Sequence, residues 1–191
     1  MKFLVLFLVL NLITTEIFLR STAATRKPQE VSKFRAIYCK ANNRSLILKH
    51  CYVKSYSRTD TVINILIHLP QKVYKPVFVQ FIASFQFGIN FREIMNSQKQ
   101  EWCDFMDGDS TNIFMKAVLD MIRHQPGIRN VFQKCPLEGD MEISNVTADT
   151  KELYKALPSG NVRFEMYIFK DDEKVFSLRL NQEIKKDPLL N

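Results

Sequence analysis

Four cysteines are the side chains with the most reactive chemistry in this chain, because a thiol can form a disulfide, bind metal or act as a nucleophile. They are Cys39, Cys51, Cys103 and Cys135, and no two of them have the Cys-x-x-Cys spacing of redox motifs or zinc knuckles. Their even number predicts two disulfides in an oxidising compartment, with three possible pairings. We favour Cys39 with Cys51 and Cys103 with Cys135, because a predicted hairpin brings the first two together.

Histidine, serine and carboxylate side chains form no recognisable catalytic or metal-binding arrangement in the sequence. The three histidines are His50, His68 and His124, and no two have the close spacing of a metal site. The acidic cluster from Glu101 to Asp109 does not match an EF-hand loop, and a turn followed by a helix N-cap accounts for it. The five glycines form no phosphate-binding loop, and no serine lies in a Gly-x-Ser-x-Gly elbow. We therefore predict no enzymatic activity, no metal and no cofactor.

The beginning of the chain has the pattern of a cleaved signal peptide. Lys2 supplies the positive start, positions 3–13 are apolar apart from one asparagine, and small residues stand at the expected cleavage point. Glu16 interrupts the run before it reaches the ~20 apolar residues that a membrane-spanning helix needs. The sequence therefore predicts removal of residues 1–24, which leaves residues 25–191 as one secreted, extracellular domain.

The sequence also predicts the surface chemistry of this domain. N-glycosylation sequons begin at Asn43 and Asn145, and Asn43 ranks first because it lies in a polar turn. The formal net charge of the whole chain is +7, with the basic residues spread along it. In a secreted protein this surplus favours attraction to anionic membranes or polysaccharides over binding of nucleic acid. A solvated, charged surface is the simpler explanation.

Alternation of apolar and polar residues predicts a mostly β domain. The strongest run is Val77 to Phe87, whose odd-numbered positions are all apolar. Further strands are predicted at 34–40 and 46–56, joined as a hairpin, and at 61–69, 101–105, 140–147, 162–170 and 174–184. One helix is predicted to begin near Asp109 and to end at Pro126-Gly127. Seven or eight strands with one inserted helix and no βαβ rhythm indicate an antiparallel β-sandwich.

Three motifs follow one another along the chain in the order that is typical of a known family. They are Trp102-Cys103-Asp104-Phe105 before a helix, Cys135-Pro136-Leu137-Glu138-Gly139, and Leu157-Pro158-Ser159-Gly160-Asn161-Val162-Arg163-Phe164. Together they resemble an insect-restricted family of secreted proteins of unknown function that is related to the ML lipid-recognition fold. Relatives by fold include the ganglioside activator protein and the Niemann-Pick type C cholesterol carrier, which take up lipids without catalysis. Val162 departs from the pattern, since the family usually has tyrosine there.

The resemblance implies an immunoglobulin-like, ML-like β-sandwich that opens between its sheets to hold a lipid or another apolar small molecule. Some insect members are similar to proteins linked to chemosensory detection, which adds a chemosensory role to the expectation. The strand positions expected to line the site are Ile63, Ile65, Ile67, Val79, Phe81, Phe85, Phe87, Phe164, Met166 and Ile168, with Phe114 and Met121 of the helix covering its mouth.

The alternative is a secreted protein–protein interaction module, in which the same inward apolar residues fill a closed, packed core. The pattern of the strands does not separate the two structures, because both require apolar residues on the inward faces. Without the resemblance, we favour the solid core. Further partners on either interpretation are a cell-surface receptor or an anionic membrane surface, with the protein as a monomer. A cavity of at least the ~300 Å³ typical of ligand pockets would favour the carrier over the module.

Overall fold

The computed structural model describes residues 31–42, 44–107, 125–148 and 157–186, together with the single positions 116, 122 and 123. In chain order the elements are β1 (Val31–Ala41), β2 (Ile47–Ser55), β3 (Thr61–Val73), β4 (Val77–Phe87), β5 (Asn90–Asn96), β6 (Gln100–Glu101), α1 (Trp102–Asp107), β7 (Ile128–Arg129), β8 (Leu137–Thr147), β9 (Gly160–Lys170) and β10 (Glu173–Lys185). All strand pairings among them are antiparallel. The predicted mostly β class is therefore confirmed.

The strands form two sheets that face each other across one apolar core. The larger sheet has the order β1-β10-β9-β4-β5, with β6 paired to β4, and the smaller sheet has the order β2-β3-β8-β7. The main buried cluster draws on both sheets, with Ile65 and Ile67 from β3, Val77 and Val79 from β4, and Phe176 from β10. Packing of two sheets through such inward faces is the arrangement of a β-sandwich.

Alternation along the strands assigns most inward faces correctly. In β4, Val77 and Val79 are buried, as their odd positions predict. The predicted hairpin of the last two strands is also confirmed, because β9 pairs with β10 across a turn in which Asp171 and Asp172 both have positive φ, at 51° and 61°. A two-residue turn with positive φ at both positions matches the right-handed twist of the flanking strands.

The predicted hairpin of residues 34–40 and 46–56 is wrong, because the two strands belong to different sheets. β1 pairs with β10, and β2 pairs with β3. The backbone N–H of Asn42 donates to the carbonyl of Val175 at 2.8 Å, which continues the pairing of β1 past its end before the chain crosses to the other sheet. A hairpin and a crossing between sheets place apolar residues on the same inward faces, so alternation cannot tell them apart.

A short helix replaces the strand predicted over residues 101–105. The Glu101 carboxylate accepts a hydrogen bond from the backbone N–H of Asp104 at 2.6 Å, and it therefore caps the first turn of α1. Glutamate is not among the residues most typical of this position, which is why the sequence did not indicate a helix start there. Among the described residues, no helix is long and apolar enough to cross a membrane.

The helix predicted from Asp109 to Pro126 falls mostly outside the described residues, as do Phe114 and Met121, which it was expected to carry. Of the described positions within it, 116, 122 and 123 are helical, whereas Gln125 and Pro126 lie in a bend and a turn.

Both disulfides have the favoured pairing, and each connects a segment in or next to the larger sheet to a segment in or next to the smaller sheet. Cys39–Cys51 joins β1 to β2, which are edge strands of the larger and the smaller sheet. Cys103–Cys135 joins α1, which follows β6 of the larger sheet, to the residue two positions before β8 of the smaller sheet. The two bonds therefore hold the two layers of the sandwich together covalently.

The pairing of β1 with β10 is reinforced by charges around Glu183. Its carboxylate accepts a hydrogen bond from the guanidinium of Arg35 at 2.6 Å, and the ammonium group of Lys33 lies 3.5 Å away. Burial by itself would raise the pKa of Glu183, but Arg35, with Lys185 and Lys33, lowers it below its ordinary value. A carboxyl group whose pKa is lower in the folded state stabilises the fold above the unfolded-state pKa and loses that contribution as the pH falls through the folded-state pKa.

We therefore expect Glu183→Gln to lower the free energy of unfolding by about 1 kcal/mol at pH 7, and the difference from wild type to shrink as the pH falls below ~4. Urea unfolding at a series of pH values measures both quantities. Glu138→Gln is the control, because Glu138 pairs with Lys72 at 3.2 Å on the surface, where both side chains are more than half exposed. A Glu183→Gln deficit that stays constant down to pH 2 would contradict the role assigned to its charge.

Candidate functional site

An apolar cavity lies between the two sheets, with a volume of about 80 Å³. The larger sheet contributes side chains of β4, β9 and β10, and the smaller sheet contributes side chains of β3 and β8. The lining residues are Val77, Val79, Met166, Ile168, Phe176 and Leu178 from the larger sheet, Ile65, Ile67, Leu137, Met141 and Ile143 from the smaller sheet, and Trp102 and Val131 outside both. The cavity thus occupies the centre of the main core.

The side chains that line the cavity are almost all apolar. No lining side chain ionises, and the only N–H group among these side chains is that of the Trp102 indole. Small cavities with such walls stay dry, because a water molecule inside would find fewer hydrogen-bond partners than the two to four that a buried water needs. The site can hold apolar groups through burial, but it carries no group for acid–base or nucleophilic chemistry.

The wall outside the sheets is aromatic. The ring of Trp102 lies 6.2 Å from that of Phe105 and 6.5 Å from that of Phe132, measured between ring centroids. Val131 reaches the cavity from the segment after β7. Gly127 comes directly before β7. There φ is +91°, and a Cβ atom would lie 1.8 Å from the backbone oxygen of Ser144. Glycine is therefore required where this part of the wall approaches β8.

Five of the residues predicted to bind a ligand line this cavity. They are Ile65, Ile67, Val79, Met166 and Ile168. They come from β3, β4 and β9, so the structure brings together inward positions from both sheets. Their role in binding a ligand stays a prediction.

The other predicted positions within the described residues lie away from the cavity. Phe81 packs against the main cluster, whereas Ile63 and Phe164 belong to a second cluster around Phe34. Phe85 is buried in a third cluster at the opposite end of β4. The side chain of Phe87 is 51% exposed. Alternation identified the inward face of β4, but it did not show how far along the strand the cavity extends.

Several lining residues were missed by the sequence-based list. Phe176 and Leu178 alternate with polar residues in the strand predicted over 174–184, so the pattern that could have placed them was present. Trp102 was hidden by the incorrect strand prediction at 101–105. Val131 lies in a connection between strands, where no periodicity indicates which side chains point inward.

The remaining polar candidates do not assemble a second site. The Nδ1 atom of His68 lies 2.7 Å from the Asp140 carboxylate on the surface, and the ring of His50 packs beside Tyr52 with 5.5 Å between centroids. Within the described part of the chain, no group of histidine, cysteine and carboxylate side chains is arranged to hold a metal ion. His124 lies outside the described residues.

Of the two predicted N-glycosylation sites, Asn145 lies among the described residues. Asn145 is exposed, and its side-chain oxygen accepts a hydrogen bond from the hydroxyl of Tyr56 at 3.3 Å. Asn43 lies outside the described residues. Glycosylation at both positions stays a prediction.

Comparison with known proteins adds a distant structural likeness. No protein-family model matches the chain, and no curated protein matches it significantly. Among solved structures, the chain is similar to a Niemann-Pick type C2 protein from the Japanese carpenter ant, with 14% sequence identity and a TM-score of 0.30. The alignment covers 82% of this chain and 93% of that chain. A likeness at this level carries no argument about function, and membership of the insect family stays a prediction.

Proposed function

We propose that the protein is a secreted, non-enzymatic binder of a lipid or another apolar small molecule, which it holds between its two sheets. The single observation that carries the proposal is the cavity between the sheets, whose lining is apolar apart from the indole N–H of Trp102. Removal of apolar ligand surface from water contributes about 25 cal/mol per Å², which is sufficient for binding without any specific polar contact. A carrier of a chemosensory compound would be one protein of this kind.

Binding requires the cavity to grow, because known ligand pockets measure about 300–1,000 Å³. One side of the cavity can widen without breaking hydrogen bonds between strands, since Trp102 belongs to α1 and Val131 to the segment after β7. The Cys103–Cys135 disulfide keeps α1 attached to the chain before β8 and so limits that movement. Because this is the side of the cavity that can widen, we propose that the ligand enters at the aromatic wall around Trp102.

Two substitutions at Leu178 test the proposal, because they change the cavity in opposite directions. Leu178→Trp fills it and is expected to weaken binding of a fluorescent fatty-acid probe at least ~10-fold, whereas Leu178→Ala enlarges it and is expected to strengthen binding. The matched control is Leu180→Ala, on the same strand and the same inward face, but within the second cluster. Its affinity is expected to stay within ~2-fold of wild type.

Circular dichroism establishes that each variant is folded before the probe is titrated. Mass spectrometry of an organic extract from protein made in a secretory host identifies any lipid that co-purifies. The proposal is wrong if the folded Leu178→Trp protein binds the probe as tightly as wild type, or if wild type shows no saturable binding.

The volume of the cavity favours the second candidate, a secreted protein–protein interaction module with a closed core. At about 80 Å³ the space is well below the size of known ligand pockets. On this alternative, the three proteins of the Leu178 series would differ in stability and would all fail to bind the probe.

Secretion, a monomeric state, and a cell-surface receptor or anionic membrane as further partners belong to both candidates as proposals. The two disulfides support an oxidising compartment, where such bonds form and persist. Detection of the mature protein in culture medium, with its first residue determined by N-terminal sequencing, tests secretion and the predicted removal of residues 1–24 together.

A further inference from the structure

The outer face of the larger sheet carries a depression of about 210 Å³ on the side away from the core. Three adjacent strands, β1, β10 and β9, line it with the side chains of Tyr38, Lys40, Ser177, Arg179, Glu165 and Tyr167, and Cys39 and Leu178, which lie between these residues, also border it. The residues between them along each strand, such as Met166 and Leu178, pack into the core. The other six residues of the lining therefore stand together on the outward face.

The register of the strands explains why a depression forms there. Lys40 is opposite Ser177, and Ser177 is opposite Tyr167, so a small side chain stands between two long ones. In the neighbouring row, Arg179 lies between Tyr38 and Glu165. The small serine leaves a hollow that the surrounding aromatic and charged side chains enclose.

Positive charge exceeds negative charge around the hollow. The Nε group of Arg179 donates a hydrogen bond to the Glu165 carboxylate at 2.9 Å, which neutralises the only acidic group in the lining. Lys40 is exposed at the rim, and the ammonium group of Lys174 lies 4.4 Å from the centre of the Tyr167 ring. The two lysines therefore remain to attract an anion.

The two tyrosines supply flat surfaces and hydroxyl groups at the same place. Tyr38 is 61% exposed, although a large aromatic side chain usually gains more free energy when it is buried. Burial raises the pKa of Tyr167, and the neighbouring Glu165 carboxylate raises this pKa further. A side-chain hydrogen bond between Tyr167 and Glu165 also raises this pKa, so the hydroxyl group of Tyr167 is already directed at that carboxylate.

We propose that this depression binds an acidic sugar, a pyranose that bears a carboxylate or sulfate group within an oligosaccharide. The C–H face of a pyranose packs on an aromatic ring, and its hydroxyl groups bond to planar charged side chains such as Arg179 and Glu165. The lysines would bind the acidic group through charge-assisted hydrogen bonds. A membrane surface fits less well, because Leu178, the one aliphatic residue in the lining, packs its side chain into the core.

The test is titration of the mature, disulfide-bonded protein with a heparin-derived tetrasaccharide, followed by calorimetry at about 0.15 M salt. Tyr38→Ala and Lys40→Gln are each expected to weaken binding about 10-fold. The matched controls are Tyr52→Ala and Lys49→Gln on β2, which change an exposed tyrosine and an exposed lysine of the other sheet. These controls are expected to stay within ~2-fold of wild type.

Two further titrations separate the sources of the chemistry. A neutral N-acetylglucosamine tetrasaccharide replaces the acidic one, and vesicles containing phosphatidylserine present an anionic lipid headgroup instead of a sugar. Selective binding of the acidic tetrasaccharide, lost in the two depression variants, supports the site. The proposal is overturned if wild type does not bind that probe, if the neutral sugar binds equally well, if Lys49→Gln weakens binding as much as Lys40→Gln, or if only vesicles bind.

Discussion

Replacement of Phe176 by alanine is expected to lower the free energy of unfolding by about 3–5 kcal/mol. The side chain of Phe176 is only 1% exposed, and it extends from β10 into the main cluster beside the cavity. Its removal loses the contacts of a whole ring and adds its volume to a space that the sheets already leave unfilled. Surrounding side chains cannot collapse into that space without moving both sheets, so the cost lies at the upper end for a core phenylalanine.

Equilibrium unfolding in urea, followed by circular dichroism, measures this loss. Phe87→Ala is the control at a phenylalanine that is 51% exposed, and we expect it to cost less than ~1 kcal/mol. If Phe176→Ala were as stable as Phe87→Ala, the placement of Phe176 at the centre of the core would be wrong.

Removal of the Cys103–Cys135 disulfide by a double alanine substitution is the change with the second largest expected effect. The cysteines are 32 positions apart, and a loop of this length predicts a loss of about 3.5 kcal/mol, compared with about 3 kcal/mol for Cys39–Cys51, whose cysteines are 12 positions apart. The Cys103–Cys135 bond also keeps Trp102 near the cavity, so loss of this bond is expected to loosen the aromatic wall.

Thermal unfolding under non-reducing conditions compares the two double variants directly. A dye that fluoresces on exposed apolar surface should brighten more for the variant without Cys103–Cys135 than for the variant without Cys39–Cys51. Equal dye fluorescence in both variants, each still folded, would contradict the role of this bond in closing the wall. Wild type treated with a reducing agent shows the combined effect of losing both bonds.

The inward face of a strand could be predicted from the sequence, whereas the pairing of distant strands could not. Alternation at Val77 and Val79 correctly gave the inward face of β4, because that pattern follows from local strand geometry. The pairing of β1 with β10 was not predicted, because it depends on contacts between distant parts of the chain. The helix that begins at Trp102 was missed for two reasons. Its N-cap, Glu101, is not a typical capping residue, and residues 101–105 have a strand-like pattern.

The candidate site was predicted in chemistry more accurately than in position. Ile65, Val79 and Met166 line the cavity, whereas Phe85 and Phe87 continue the same apolar pattern beyond it. A pattern along one strand does not encode where two sheets are held apart, since that depends on their relative register and on side chains outside both sheets. The depression around Ser177 was missed for the same reason, because its members come from three strands.

The pairing of β1 with β10 imposes an order on folding during synthesis. Val31 pairs with Lys185, so the partner of the first strand is made only after nearly all the rest of the domain. Until then β1 has an unpaired edge, and a chain interrupted before β10 would lack the strand that separates β1 from β9. Such late closure between distant segments slows folding. In a cell, the nascent chain would depend on chaperones to protect that edge until β10 has been made.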